Sequence, residues 1–208
     1  EWTGRGPLMM PWSDHGAAMV PLVMQNENKT PFDGDPRNAL AAVLKRFAAL
    51  GLRPVPAFEL EFYLVDPKAV DGALSNPLTG ASIIREGVLS LDDLDDFDAI
   101  ITDIYDGCKI QSVAADAAIS ESGIGQFEVN LRHSEDAMKV ADDAMLFKNV
   151  VKSVARKHGL AASFMAKPFA QRPGSGLHMH FSILDGAGAN IFDNGDAAVS
   201  YTHLTLPT

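Results

Sequence analysis

Apolar residues recur along this chain in two periods, and the switches between them outline its elements. Leu40, Val43, Leu44, Phe47 and Leu50 fall at steps of three and four, which predicts an amphipathic helix. Asp35 stands at its N-cap position, Pro36 at its first helical position and Gly51 just past its end. A second helix is predicted after Ser90, with Asp93 three residues on and Leu94, Phe97, Ile101, Ile104 and Cys108 as its stripe. A third runs from a Ser134 cap to Gly159 on Val140, Ala144, Phe147, Val151 and Val154. Shorter apolar or alternating runs predict strands over 18–25, 54–65, 113–119, 125–131, 161–166 and 177–184. Pro21 marks the first of these as an edge. Residues 66–89 carry Pro, Gly, Asn and Ser and read as a long loop with a short hairpin. Residues 185–190 read as a Gly-rich hairpin turn before Ile191 and Phe192. The chain has no internal repeat, no G-x-G-x-x-G run and no P-loop.

The strand alternation also sorts the polar residues. Glu59 and Glu61 share one strand face, ~6.6 Å apart. Two carboxylates so close repel unless a cation sits beside them. Phe58, Leu60, Phe62 and Tyr63 half-bury that strand, and no Lys or Arg is near in sequence, so either a metal or a solvated face would account for the pair. In Glu121-Ser-Gly-Ile-Gly-Gln-Phe-Glu128, Gly123 and Gly125 allow a turn that folds one acid towards the other. Gln126, Glu128 and Asn130 then share a face, which could equally be a polar outer face.

The densest run is Lys167 to Ser182, KPFAQRPGSGLHMHFS. Gly174, Ser175 and Gly176 let backbone approach a ligand closely. The strand that follows presents His178, His180 and Ser182 on one face, suited to a metal and a phosphate. Several carboxylates with one or two imidazoles favour Mg²⁺ or Mn²⁺ over zinc. His15, His133, His158 and His203 read as surface or cap residues. The acidic run of Asp92, Asp93, Asp95, Asp96 and Asp98 reads as a helix N-terminus that then faces water.

Composition narrows the class. The chain has 208 residues, is 47% apolar and carries a formal net charge of −10, so it lacks a basic footprint for nucleic acid. No stretch approaches the ~18 apolar residues of a membrane helix. Cys108 is the single cysteine, so no internal disulfide can form, and no signal peptide is visible. A cytoplasmic enzyme is the expectation. Glu1 opens in mid-pattern, and residues 200–208 continue neither period. That tail resembles translated adapter read-through and is expected to be non-native, the alternative being a natural loop.

The ordered motifs E-L-E, E-S-G-I-G-Q-F-E and K-P-F-A-Q-R-P-G-S-G-L-H-M-H-F-S resemble those of glutamine synthetases. The resemblance covers about residues 5–199, under half of a typical member. It implies an α+β fold: a glutamine synthetase-like catalytic domain over 31–199, incomplete, with an antiparallel sheet lined by metal ligands and outer helices. Residues 1–30 would be the end of an N-terminal β-grasp domain. It implies ATP-dependent joining of an amine to the γ-carboxylate of glutamate through a γ-glutamyl phosphate, with two Mg²⁺ or Mn²⁺ ions per site. By motif, Glu61, Glu121 and Glu128 would hold the first ion, and Glu59 and His178 the second. His180 and Ser182 would contact ATP, and Gly174 would belong to the loop that receives glutamate. The parent protein would be a ring-shaped homo-oligomer, with neither nucleic acid nor membrane as partner.

The departures matter too. In the family, the third ligand of the second ion, the flap glutamate and the substrate-binding arginines lie further along, so this stretch by itself is expected to be inactive. Pro173 stands where ammonia-using bacterial members commonly have Asn, and residues 86–95 lack their Gly-Tyr-Phe segment. The E-L-E-F-Y-L-V-D and G-Q-F-E-V-N runs look more like γ-glutamylpolyamine synthetases, which use putrescine or a related amine. Glutamine synthesis from ammonia, or a non-catalytic structural or regulatory member, are the alternatives. Intact metal carboxylates speak against the last.

Overall fold

The computed structural model describes residues 1–69, 72–84 and 87–193. The tail at 200–208 and His203 lie outside the described residues. The sheet is built around one long strand. In chain order the elements are β1 (Leu8–Met9), β2 (Ala18–Met19), α1 (Pro36–Ala49), β3 (Arg53–Val65), α2 (Leu91–Asp96), α3 (Asp98–Ile110), β4 (Ala115–Ser120), β5 (Gln126–Leu131), α4 (Ala137–Lys157), β6 (Ala161–Ser163) and β7 (Leu177–Leu184); β1 and β2 form a small sheet of their own, and β3 is the long strand of the main one. β3 pairs antiparallel with β5 over Glu59–Tyr63. Its other edge takes β7 over Arg53–Leu60 and β6 over Tyr63–Val65. β4 completes the order β4-β5-β3-β6, with β7 also on β3, so the fold is α+β with an antiparallel sheet, as expected. Pro54 and Pro56 fall where β3 is paired by β7 alone, so their missing N–H groups cost no ladder on the β5 side.

The alternation of β3 divides the molecule into a dry side and a chemical side. Leu60, Phe62 and Leu64 point into the core beneath α3 and α4. Phe62 lies 5.3 Å from Phe164, 6.2 Å from Phe147 and 6.3 Å from Phe127, centroid to centroid. All five predicted stripe residues of α4 are buried. Its cap is Asp136, whose carboxylate accepts from Lys139 N, while Ser134 accepts from Asp136 N one turn earlier. The helix begins at Ala137, so Asp136 and not the predicted Ser134 holds the capping position.

The predicted helix after Ser90 is broken. α2 stops at Phe97, which sits at φ −106° and ψ 12° with its ring in the core, 5.2 Å from Phe127. Anchoring that ring requires the chain to turn, and α3 restarts beyond it. α1 has the predicted Asp35 cap and Pro36 start, with Gly51 at φ +69° past its end. None of its residues is fully buried. The strand predicted over 18–25 is only two residues long, paired with β1, and that predicted over 161–166 ends at Ser163.

Residues 1–30 are pinned to the core. Leu8 joins the buried cluster, and Gln111 donates to Met9 O. Arg5 forms an ion pair with buried Asp143, which also takes Lys139 Nζ at 2.6 Å. Among the described residues no helix is long and apolar enough to cross a membrane.

Candidate metal and nucleotide site

The other face of β3 carries the chemistry. Register places Glu59 opposite Asn130 on one side and His178 on the other, Glu61 opposite Glu128, and Tyr63 opposite Gln126. His180 faces Ala57 and Ser182 faces Val55 one and two steps along β7. Glu121 follows β4, where its N–H donates to Gln126 O, so it joins the same face. Glu59, Glu61, Glu121, Glu128, His178 and His180 thus share one sheet surface.

Glu59, Glu128 and His178 each offer a ligand atom within 4.8 Å of the others, the one such trio among the described residues. His178 Nδ1 lies 3.3 Å from Glu59 Oε2 and 3.8 Å from Glu128 Oε2. His180 Nε2 lies 3.1 Å from the same Glu59 oxygen. The acidic run near residue 95 contributes no such trio. Burial pushes the Glu128 carboxyl up to about 7, helped by the neighbouring charges of Glu59, Glu121 and Glu61 and opposed by His178. Glu121 is raised as well, by burial and then by Glu61. Four carboxylates on one face, with no Lys or Arg of the described residues paired to them, fit a hard divalent cation, which would supply positive charge.

Around this centre lie supports that sequence alone places on the face without a role. Asn130 Nδ2 donates to Glu59 Oε1 at 3.0 Å, while its own Oδ1 is buried without a partner. Gln126 Nε2 donates to Glu61 Oε2 and to Gly174 O, both at 2.9 Å. Gln126 Oε1 accepts from Gly123 N at 3.0 Å. Cross-strand register creates these contacts, so no local pattern announces them. Gly176 packs closely against the site: a Cβ would stand 2.8 Å from Glu61 Oε1 and 3.1 Å from His178 Nε2, so a larger residue would displace those two side-chain ends.

An open cleft of about 650 Å³ runs from Glu59 and His180 to Asn130, Arg132, His133 and Asp116. A second recess of about 430 Å³ shares His133 and is lined by Ser182, Val55 and Asn190. Ser182 Oγ accepts from Asn190 Nδ2 at 3.4 Å. His133, read as a surface residue, is exposed and walls both recesses. His158 caps α4 and meets Asp103 at 2.8 Å, far from this face.

Comparison with known proteins identifies the family. The profile "Glutamine synthetase, catalytic domain" matches residues 33–206. The chain is 37% identical over 179 residues to gamma-glutamylputrescine synthetase PuuA of Escherichia coli, covering 84% of this chain and 38% of that protein. It is 32% identical over 187 residues to glutamate–isopropylamine ligase of a Pseudomonas species, covering 89% and 40%. Among solved structures it is similar to a GmaS–ADP complex, with TM-score 0.71, 32% identity and coverage of 91% of this chain and 43% of the other. The chain spans about two fifths of the length of the curated relatives it matches. The chain belongs to the glutamine synthetase family.

Proposed function

We propose that this chain is part of an ATP-dependent ligase that joins an amine to the γ-carboxylate of glutamate through a γ-glutamyl phosphate, and that the amine is putrescine or a related polyamine. The observation that carries the reading is the single sheet face that gathers Glu59, Glu61, Glu121, Glu128 and His178. Glu61, Glu121 and Glu128 would hold one Mg²⁺ or Mn²⁺ ion, and Glu59 with His178 a second. Glu128 lies between the two groups, close to both His178 and Glu59. Such ions, when bound, neutralise phosphate charge and favour phosphoryl transfer.

The protein's own groups set the geometry. Asn130 holds Glu59 by one oxygen and leaves the other towards the imidazoles. His180, on the cleft, and Ser182, on the neighbouring recess, would contact ATP. Gly174 belongs to the loop for glutamate. Residues 1–30 read as the end of a β-grasp domain in a ring-shaped cytoplasmic oligomer, and this stretch alone is expected to lack turnover.

The choice of a bulky amine rests on Pro173 and on the activities that the names of the relatives state. Tyr63 OH donates to Pro173 O at 2.8 Å, so the loop is anchored through backbone at a position with no side-chain amide. Phosphate release by the full-length parent, with glutamate and ATP plus putrescine or ammonium, tests the reading. Preference for putrescine is expected. Preference for ammonium would replace the amine, and no release with either would remove the ligase.

A further inference from the structure

We propose that Gln126 is a positioning residue that couples the carboxylate of Glu61 to the 173–176 loop, so that a divalent cation bound at Glu61 sets the conformation of that loop. The inference rests on the ligase reading above for the roles of the cation and the loop. It concerns a side chain that binds the loop but would not itself ligate the cation.

Gln126 is 1% exposed, and its amide is saturated. Its two N–H groups go to Glu61 Oε2 and Gly174 O at 2.9 Å each, with Ser175 Oγ marginal at 3.5 Å. Its oxygen takes Gly123 N. The orientation of the amide is determined by these partners: a backbone N–H needs the oxygen, and a carboxylate and a carbonyl need the nitrogen. Rotation of this amide would break several bonds at once inside a buried site, which is costly. A shift of the Glu61 carboxylate is therefore passed to Gly174 O.

Among the described residues, one further tie also reaches Glu61, whose backbone N–H donates to Gly176 O at 3.2 Å, and the others lie towards the core. Tyr63, fully buried, donates to Pro173 O, and Ser175 N donates to Ala166 O at 2.9 Å. Arg172 stacks on Phe169 at 4.3 Å, and Phe169 meets Tyr63 edge-on at 5.4 Å. These anchor residues 166–173 to the core. Among the described residues, Gln126 is the side chain that joins 174–175 to the Glu61 carboxylate.

The test is amide hydrogen exchange over 172–177 with and without Mn²⁺, beside Mn²⁺ affinity by calorimetry, on the wild-type chain, Gln126→Met and Tyr63→Phe. Met keeps the volume of Gln and removes its hydrogen bonds. Mn²⁺ should slow exchange in the wild type. Gln126→Met should lose that slowing and bind Mn²⁺ about 10-fold more weakly, the scale typical of a support behind a metal ligand. Tyr63→Phe should speed exchange under both conditions with affinity unchanged, which separates loosening of the loop from coupling to the cation. Mn²⁺ binding without slowed exchange in the wild type overturns the coupling alone, as does retained slowing in Gln126→Met. No Mn²⁺ binding by the wild type overturns the coupling together with the metal reading beneath it. Should Gln126→Met fail to fold, the wild-type comparison still decides.

Discussion

Glu59 and His178 are register partners across β3 and β7, and His178 Nδ1 stands 3.3 Å from Glu59 Oε2. The same oxygen faces His180 Nε2 at 3.1 Å, so one carboxylate oxygen is shared by both imidazoles of the H-x-H strand. The arrangement divides the strand's labour: His178 reaches back to Glu128, while His180 opens on the cleft.

Removing the group that holds Glu59 should weaken metal binding without unfolding the sheet. Asn130→Ala deletes the donor to Glu59 Oε1 and should lower Mn²⁺ affinity by about 10-fold. Glu59→Gln should lower it further, because the ligand charge itself is lost. Calorimetric titration of Mn²⁺ checks both, with circular dichroism showing that the fold persists.

Acidity should act through Glu128. Its folded pKa is raised from 4.5 to about 7, so the fold favours the protonated form. The stability it contributes is fully present below pH 4.5 and is lost as pH rises through about 7. Glu121 shifts in the same direction. Without metal, the melting temperature should fall between pH 5 and 8, and Glu128→Gln should flatten that slope. A divalent ion requires the carboxylate, so its binding at pH 7 should release about half a proton from Glu128, visible as buffer-dependent heat.

Phe147 is fully buried at the meeting of Phe62 and Phe164. Phe147→Ala should cost about 3–5 kcal/mol, read from urea unfolding. The loss would come from the dry side, so any population that stays folded should bind metal as before.

Cys108 should be inert in the native state. Burial, with Asp143 nearby, pushes its thiol up to about 12, and its side chain is inaccessible. Alkylation by iodoacetamide at pH 8 should proceed only after denaturant is added.

Local punctuation and periodicity were legible where the physics is local. Asp35, Pro36 and Gly51 bracket α1, and the stripe of α4 is the stripe that the core receives. Periodicity names a face but not its cover: on α1, Val43 and Leu50 remain 43% and 73% exposed. The break at Phe97 was hidden because it depends on Phe127, thirty positions along and in another element. The faces of Glu59, Glu61, Glu128, His178 and His180 could be read from alternation. The duties of Asn130 and Gln126 could not, since each is created by register between distant strands.

The pairing of β3 also has a kinetic meaning. Its partners β5, β6 and β7 all emerge later in the chain, and Asn130 is already 71 residues from Glu59. Contacts of such long range form slowly, after the local helices. The acidic pair on β3 must therefore wait, unopposed, until the histidine strand arrives. A cation that needs both would hold the finished molecule against opening rather than guide its assembly, so Mn²⁺ should slow unfolding and leave the refolding rate nearly unchanged.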